Sequence, residues 1–324
     1  MGTVVLGTGS CLPKRILTNV ELESIVDTDD EWIRSRTGIE SRHIGGKGEK
    51  AFQLAAAASQ AALDSAGIRP DEIDTILLAT ISSHMLMPSC ACLVQKEIGA
   101  RNAFAYDVNA ACSGFLYSLD LADKYIQADR SKKILVIGVE TLSSRMNWKD
   151  RNTCILFGDG AGAAVVGFSD SARGLVGSNF GSDGRLWDLL CMYSAQSLNP
   201  DLEVEDYPGS HVLMGGREVF KHAVRAMEDS VRGLLDREGL EMASVDLVIP
   251  HQANIRILNK LAERLEIPKE KMFVNVQKYG NTSAASIPIA LDEAVQGGLI
   301  SEGDTVLFCS FGGGFTWGAA LTKW

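Results

Sequence analysis

Residues 63–78 and 107–122 reappear 172 positions downstream without a gap, and only the first copy carries a cysteine. Leu63-Asp64-Ser65-Ala66-Gly67-Ile68 aligns with Leu235-Asp236-Arg237-Glu238-Gly239-Leu240, and Ile73-Asp74-Thr75-Ile76-Leu77 with Val245-Asp246-Leu247-Val248-Ile249. At the same offset Asn109 meets Asn281, Leu119-Asp120-Leu121-Ala122 meets Leu291-Asp292-Glu293-Ala294, and Cys112 meets Ala284. Two windows that share one offset are hard to attribute to chance. The chain therefore reads as two copies of one α/β unit, residues 1–172 and 173–324. Chemistry is loaded asymmetrically: the cysteine sits in the first half, His251 and Asn281 in the second.

Within each half, short apolar runs alternate with amphipathic stretches. Strands are expected at Val4–Gly7, Thr75–Ala79, Ala103–Val108, Ile134–Gly138, Ala163–Gly167, Asp246–Ile249, Met272–Val274 and Thr305–Cys309, apolar enough to be buried on both faces. Helices are expected at Asp30–Thr37, Ala51–Ala66, Ser113–Ala128, Gly216–Glu238, Ile255–Arg264 and Ser283–Gln296, with Gly67 and Gly239 as left-handed caps. This alternation implies an α/β class, and two halves about a pseudo-twofold imply a five-layered α-β-α-β-α stack. Asn179–Ser210 reads as loops bridging the halves.

Composition narrows the function classes. A net charge of −10 argues against general nucleic-acid binding. No apolar stretch reaches membrane-spanning length, and the first residues do not read as a signal peptide. The seven cysteines are scattered, with no C-x-x-C pair, so neither a zinc site nor a disulfide framework is expected, and a reducing cytosol fits.

Asp107-Val108-Asn109-Ala110-Ala111-Cys112-Ser113-Gly114-Phe115 passes from a strand through small residues into a helix. That puts Cys112 near a helix N-terminus, where free amides favour thiolate and lower the thiol pKa. Its own amide is also placed to donate to a developing oxyanion. Cys11, Cys154 and Cys309 lie in strand-like runs and read as core.

Val248-Ile249-Pro250-His251-Gln252-Ala253-Asn254 ends a strand in a polar cluster, the end at which α/β sheets place ligand sites. Tyr279-Gly280-Asn281-Thr282-Ser283-Ala284-Ala285-Ser286 sits at the helix start that mirrors Cys112. If the halves pack about a twofold, Cys112 and Asn281 converge on one cleft. His43, His84, His211 and His222 look incidental. The Cys, His, Asn order is also that of papain-type proteases, but the C-G-[SA]-C-[WY] context and paired disulfide cysteines are missing.

Taken together these clusters resemble 3-oxoacyl-acyl-carrier-protein synthase III, in the thiolase-like superfamily. The likeness is carried by Trp32–Ile39, Ala111–Phe115, Phe157–Ala163, His251–Asn254, Gly280–Ser286 and Phe311–Gly318, all in order. Elongating ketoacyl synthases resemble Cys-His-His and thiolases Cys-His-Cys, so Asn281 argues against both. The glycine loop argues against chalcone-synthase-like enzymes.

The resemblance implies an acyl-CoA primer acylating Cys112, followed by decarboxylation of malonyl on acyl carrier protein and attack of the carbanion on the acyl-enzyme. It implies His251 and Asn281 as donors to the enolate, each such donor being worth ~2.7–4 kcal/mol. The Cys112 amide and Gly313 would form the oxyanion hole. Trp32, Arg36, Thr37, Arg151 and Asn254 would contact CoA, which is a substrate; no cofactor or metal is implied. Leu142, Phe157, Phe311 and Met87 would shape the acyl pocket, Met87 reaching across a homodimer interface, with acetyl-CoA or another short primer expected. Arg256, Lys221 and Lys260 would dock the acidic carrier protein. Two other readings are a Cys-His-Asn acyltransferase or condensing enzyme of secondary metabolism, and a non-enzymatic acyl-binding scaffold.

Overall fold

Runs of β-branched and small residues form the strands, and left-handed glycines close several helices between them. A computed structural model describes residues 2–324. The first half runs β1 (Gly2–Cys11), β2 (Arg15–Thr18), α1 (Asn19–Leu22), α2 (Asp30–Thr37), β3 (Ser41–Ile44), α3 (Ala51–Ala66), β4 (Thr75–Ala79), α4 (Cys90–Ile98), β5 (Phe104–Val108), α5 (Gly114–Ala128), β6 (Ile134–Thr141), α6 (Arg151–Cys154) and β7 (Asp159–Ser169). The second runs β8 (Gly174–Ser182), β9 (Leu190–Met192), β10 (Val212–Met214), α7 (Gly216–Glu238), β11 (Leu247–Pro250), α8 (Ile255–Leu265), α9 (Val276–Tyr279), α10 (Ser286–Gln296), β12 (Thr305–Gly312) and β13 (Thr316–Lys323).

Five strands make one sheet in the order β1-β7-β6-β4-β5, with β4 parallel to both neighbours and β7 antiparallel to both of its own. Four make the second, β11-β12-β13-β8, with β11 parallel to β12 and β13 antiparallel to β12 and β8. The turn at 170–173 separates them. Helices α5 and α10 share one apolar cluster with both sheets: Leu116, Leu119, Ile287 and Leu291 meet Leu77, Val136, Ile249 and Phe308. Helices α3 and α4 cover the outer face of the first sheet, and α7 and α8 that of the second. This is the five-layered, thiolase-like α/β arrangement of duplicated halves.

The 172-residue offset extends to the backbone. Strands β1 and β8 start at Gly2 and Gly174, helices α5 and α10 at Gly114 and Ser286, and single 3-10 turns precede those helices at Ala111–Ser113 and Ser283–Ala285. The caps Gly67 and Gly239 both have φ of 65°, which glycine adopts without a Cβ penalty. The second repeat's 3-10 turn lies directly on β6: a Cβ on Gly138 would collide with the Ala284 carbonyl.

Several expectations fail locally. Asn179–Ser210 is not all loop, because β8 runs to Ser182 and pairs with β13. Met272–Val274 is not a strand; a single bridge joins Met272 to Val248, since Pro268 and the turn at Lys269–Lys271 leave too little extended chain. Cys154 lies in the short helix α6 rather than a strand. Strand β5 is an edge, only partly covered.

Candidate active site

Cys112 occupies the 3-10 turn Ala111–Ser113, between the carboxyl end of β5 and the start of α5. Small residues are required there. A Cβ on Gly312 would stand 2.6 Å from the Cys112 amide nitrogen, so β12 can approach the nucleophile's backbone only as glycine. The hairpin β12–β13 then clamps the turn: Thr316 Oγ1 donates to the Ala110 carbonyl at 2.9 Å, and Ser113 Oγ donates to the Thr316 carbonyl at 3.2 Å. Ala111 is held at φ 44°, in the left-handed region that favours glycine.

The expectation of a depressed thiol pKa is overturned. Burial pushes the Cys112 thiol up to about 12, and the Glu140 carboxylate adds to the rise, while the Ser283 hydroxyl opposes it. Desolvation of a fully enclosed sulfur outweighs the favourable start of the helix.

His251 follows β11 and is buried, and burial alone pushes its pKa down to about 4. Its Nδ1 lies 2.7 Å from Ser286 Oγ, which also accepts from the Gln252 amide. The serine proton is thus available to Nδ1, leaving Nε2–H as the ring's free donor. Asn281 is fixed by the first half: its amide donates to the Leu156 carbonyl at 2.8 Å, and the Gly158 amide donates to its carbonyl at 3.0 Å. Its side-chain oxygen accepts from the Ser283 amide at 2.8 Å, so the Nδ2 amide hydrogens remain to be given. The segment 155–158 rests on the buried Arg42, which donates to the Ile155 carbonyl, the Leu17 carbonyl and Asn19 Oδ1. Burial pulls the Arg42 guanidinium down to about 10.

Cys112, His251 and Asn281 all line one cavity of about 770 Å³. Phe157, Phe311, Leu156 and Leu190 line it with them, and toward solvent so do Trp32, Arg36, Asn254, Arg217, Lys221 and Arg256. A buried end carrying one sulfur nucleophile and two neutral N–H donors can hold an acyl group covalently and stabilise a thioester enolate.

At the outer end two guanidiniums lie over Trp32, Arg36 at 4.8 Å and Arg151 at 4.9 Å from its ring centroid. Thr37 also lines the cavity, but its hydroxyl donates to the Ile33 carbonyl and accepts from the Ile39 amide. Asn254 caps α8 through its oxygen, at 3.0 Å from the Ile257 amide.

Other expected residues fall elsewhere. Met87 is 84% exposed on the segment before α4, outside the cavity of this chain. Leu142 is buried in the cluster behind Phe157 rather than on the cavity wall. Gly313 packs against the Leu190 carbonyl, and Gly312 is the glycine against Cys112. Lys260 is not among the cavity residues and pairs with Glu263 at 2.6 Å. Sequence reasoning missed the polar residues behind the site, Glu140 and Ser286. Ser286 closes the segment Gly280–Ser286, and Glu140 is the lone acid in the mostly apolar β6, the one signal available. Among the described residues no group of three or more His, Cys, Asp or Glu is placed to hold a metal, and no helix is long and apolar enough to cross a membrane.

Residues 106–184 match the 3-oxoacyl-[acyl-carrier-protein] synthase III family, and residues 235–324 match that family's C-terminal region. A β-ketoacyl-[acyl-carrier-protein] synthase III from Desulfotalea psychrophila is 57% identical over 324 residues, with both chains covered completely. The chain belongs to the 3-oxoacyl-[acyl-carrier-protein] synthase III family. The crystal structure of the synthase III from Aquifex aeolicus superposes with a TM-score of 0.94 at 49% identity, covering 100% of each chain. That from Thermus thermophilus does so at 0.92 and 41%, covering 99% of this chain and 98% of its own. Membership makes this protein an acyltransferase-type condensing enzyme, initiating fatty acid synthesis, in preference to the secondary-metabolism and scaffold readings.

Proposed function

We propose that the chain condenses a short acyl-CoA, acetyl-CoA first among them, with malonyl on acyl carrier protein, through a thioester on Cys112. The observation that carries this reading is the single cavity, with a sulfur nucleophile and two neutral donors at its buried end and Trp32, Arg36 and Arg256 toward solvent. Cys112 attacks the acyl-CoA carbonyl and CoA leaves. The oxyanion is held by the Cys112 amide together with an amide of the Phe311–Phe315 loop, Gly313 being the family's donor. Malonyl then enters and loses CO2, its thioester oxygen taking hydrogen bonds from His251 Nε2 and Asn281 Nδ2. The carbanion attacks acyl-Cys112, and 3-oxoacyl carrier protein departs.

Phe157 and Phe311 bound the acyl end, with Leu142 behind them, which suits a short primer. Met87 and the exposed edge strand β5 support a homodimer in which Met87 enters the partner's acyl pocket. The nucleotide of CoA lies along Trp32, Arg151, Arg36, Thr37 and Asn254, and the carrier docks at Arg256 and Lys221 with Lys260 nearby. Seven unpaired cysteines suit a cytoplasmic setting. The test is intact-mass analysis after incubation with acetyl-CoA: one acetyl increment on Cys112 is expected, and no increment across a panel of acyl-CoAs overturns the reading. Release of CO2 from malonyl-carrier protein should be lost in His251→Ala and in Asn281→Ala; retained release in both would remove them from the decarboxylation step.

A further inference from the structure

Glu140 is a fully buried carboxylate at the end of β6, and among the described residues no cation is one of its partners. Its two oxygens are treated differently. Oε2 accepts from Thr80 Oγ1 at 3.3 Å, from the Ile81 amide at 3.2 Å and, in a short bond, from Ser82 Oγ. Oε1 faces Ser283 Oγ alone, at 3.2 Å. Since three donors already occupy Oε2, a proton added to this carboxylate belongs on Oε1. The turn Ser283–Ala285 packs against the turn Ala111–Ser113, and the Ser283 hydroxyl acts on the Cys112 thiol, opposing the rise that burial causes. Ser283 holds that place at φ 48°, where a serine is strained. One hydroxyl thus stands between the nucleophile and a buried acid that the reaction described above does not use.

We propose that Ser283 and Glu140 form a proton relay that takes the proton from the Cys112 thiol and stores it until the end of the catalytic cycle. This rests on Cys112 being the nucleophile. The S–H proton passes to Ser283 Oγ as the serine proton passes to Glu140 Oε1, giving a thiolate and a neutral acid. Ser283 then donates to the sulfur, and its oxygen accepts from the acid. The thiolate attacks the acyl-CoA, and CoA leaves as a thiolate that takes its proton from solvent. When condensation expels Cys112 as a thiolate, the steps reverse and Glu140 becomes a carboxylate again.

Three features favour this path. Losing the thiol proton directly to solvent would leave two anions buried side by side, whereas the relay keeps a single charge in the pocket. His251 is a poor acceptor, its pKa being pushed down to about 4. Burial pushes Glu140 up to about 7, where an acid can both take and return a proton near neutral pH. The titratable groups facing Glu140 are Cys112 and, from α4, Cys90, on which Asp107 of β5 also acts. The Thr80–Ser82 segment and the turn Ser283–Ala285 contribute none.

Glu140 is then a positioning residue acting through Ser283, and alkylation of Cys112 by iodoacetamide, followed by peptide mass, reads it without any acyl-CoA. In the wild-type protein the rate should climb through about pH 7 and level off. Glu140→Gln should lose that limb and slow alkylation roughly 100-fold at neutral pH. Ser283→Ala should do the same, and the double variant should lose no more. Alanine fits that backbone, because Ala111 adopts it at φ 44° in the other repeat, so Ser283→Ala carries the test if Glu140→Gln fails to fold. Wild-type rates and pH profile in folded variants overturn the relay, as does a slowed rate that keeps the limb. Alkylation as expected in a protein that never condenses would instead sink the proposed function and leave the relay standing.

Discussion

Ser286 Oγ lies 2.7 Å from His251 Nδ1, and that one contact sets which nitrogen of the ring can donate toward the cavity. With Ser286→Ala the ring loses its anchor and the tautomer is no longer selected. A neutral hydrogen bond of this kind is worth ~1 kcal/mol net, so malonyl decarboxylation should slow by roughly fivefold. Acylation of Cys112, followed by mass, should stay within about twofold, because the ring is not asked to act in that step. Loss of both steps together would show a collapsed site instead.

The depressed His251 pKa has a consequence for stability. The folded protein holds the ring neutral down to about pH 4, while the unfolded chain protonates it near 6.5. Between those values the unfolded state binds the extra proton, so stability is lost as pH falls. Glu140, raised to about 7, works in the opposite sense: in the folded protein it is protonated where the unfolded carboxyl is not, so its contribution grows as pH falls from about 7 to its ordinary value. Comparing wild type with His251→Asn isolates the first effect. In urea unfolding the variant should gain about 2 kcal/mol relative to wild type on going from about pH 7 to about pH 5. An unchanged difference would mean the ring is not desolvated.

Much of this was legible before any coordinates. Ala51–Ala66, Asp30–Thr37 and Gly216–Glu238 are recoverable from periodicity and caps, and the 172-residue offset places the turn at Ser283–Ala285 opposite that at Ala111–Ser113. Strand β8 escaped because its Gly-Leu-Val-Gly-Ser-Asn-Phe-Gly-Ser run has no period; only pairing with β13 makes it a strand. Helix α4 escaped because nine residues opening Cys-Ala-Cys give little pattern. The thiol pKa was misread for a different reason. A helix start is visible in sequence, whereas the enclosure that desolvates Cys112 is made by β12, 200 residues later. Glu140 is the same lesson, since its partners come from the segment after β4 and from the second repeat.

The Trp32 ring centroid lies less than 5 Å from the guanidinium carbons of both Arg36 and Arg151. Stacking of this type is worth ~0.5–2 kcal/mol when partly desolvated. Trp32→Ala should therefore raise KM for acetyl-CoA by about 2- to 30-fold and leave kcat within about twofold, the pattern of lost uniform binding. A short acyl thioester lacking the nucleotide should be used equally well by both proteins. If it too is impaired, Trp32 is supporting the fold of α2.

The carrier-docking reading turns on a contrast between two residues of α8. With a net charge of −10 the protein as a whole repels an acidic partner, so docking needs a local basic rim. Arg256 is exposed at the cavity, its guanidinium 5.8 Å from the Phe220 ring centroid and in no salt bridge among the described residues, whereas Lys260 is bound up with Glu263 at 2.6 Å. Lys221 is similarly paired, with Glu218 at 2.8 Å. Arg256→Ala should then raise KM for malonyl-carrier protein by roughly tenfold at low salt, and Lys260→Ala by about twofold or less. The gap should narrow near 1 M salt, where the Debye length falls to about 3 Å. Turnover of malonyl-CoA, which brings no carrier surface, should be nearly indifferent to both changes. Equal effects on malonyl-CoA and malonyl-carrier protein would place Arg256 on the pantetheine path instead of at the protein interface.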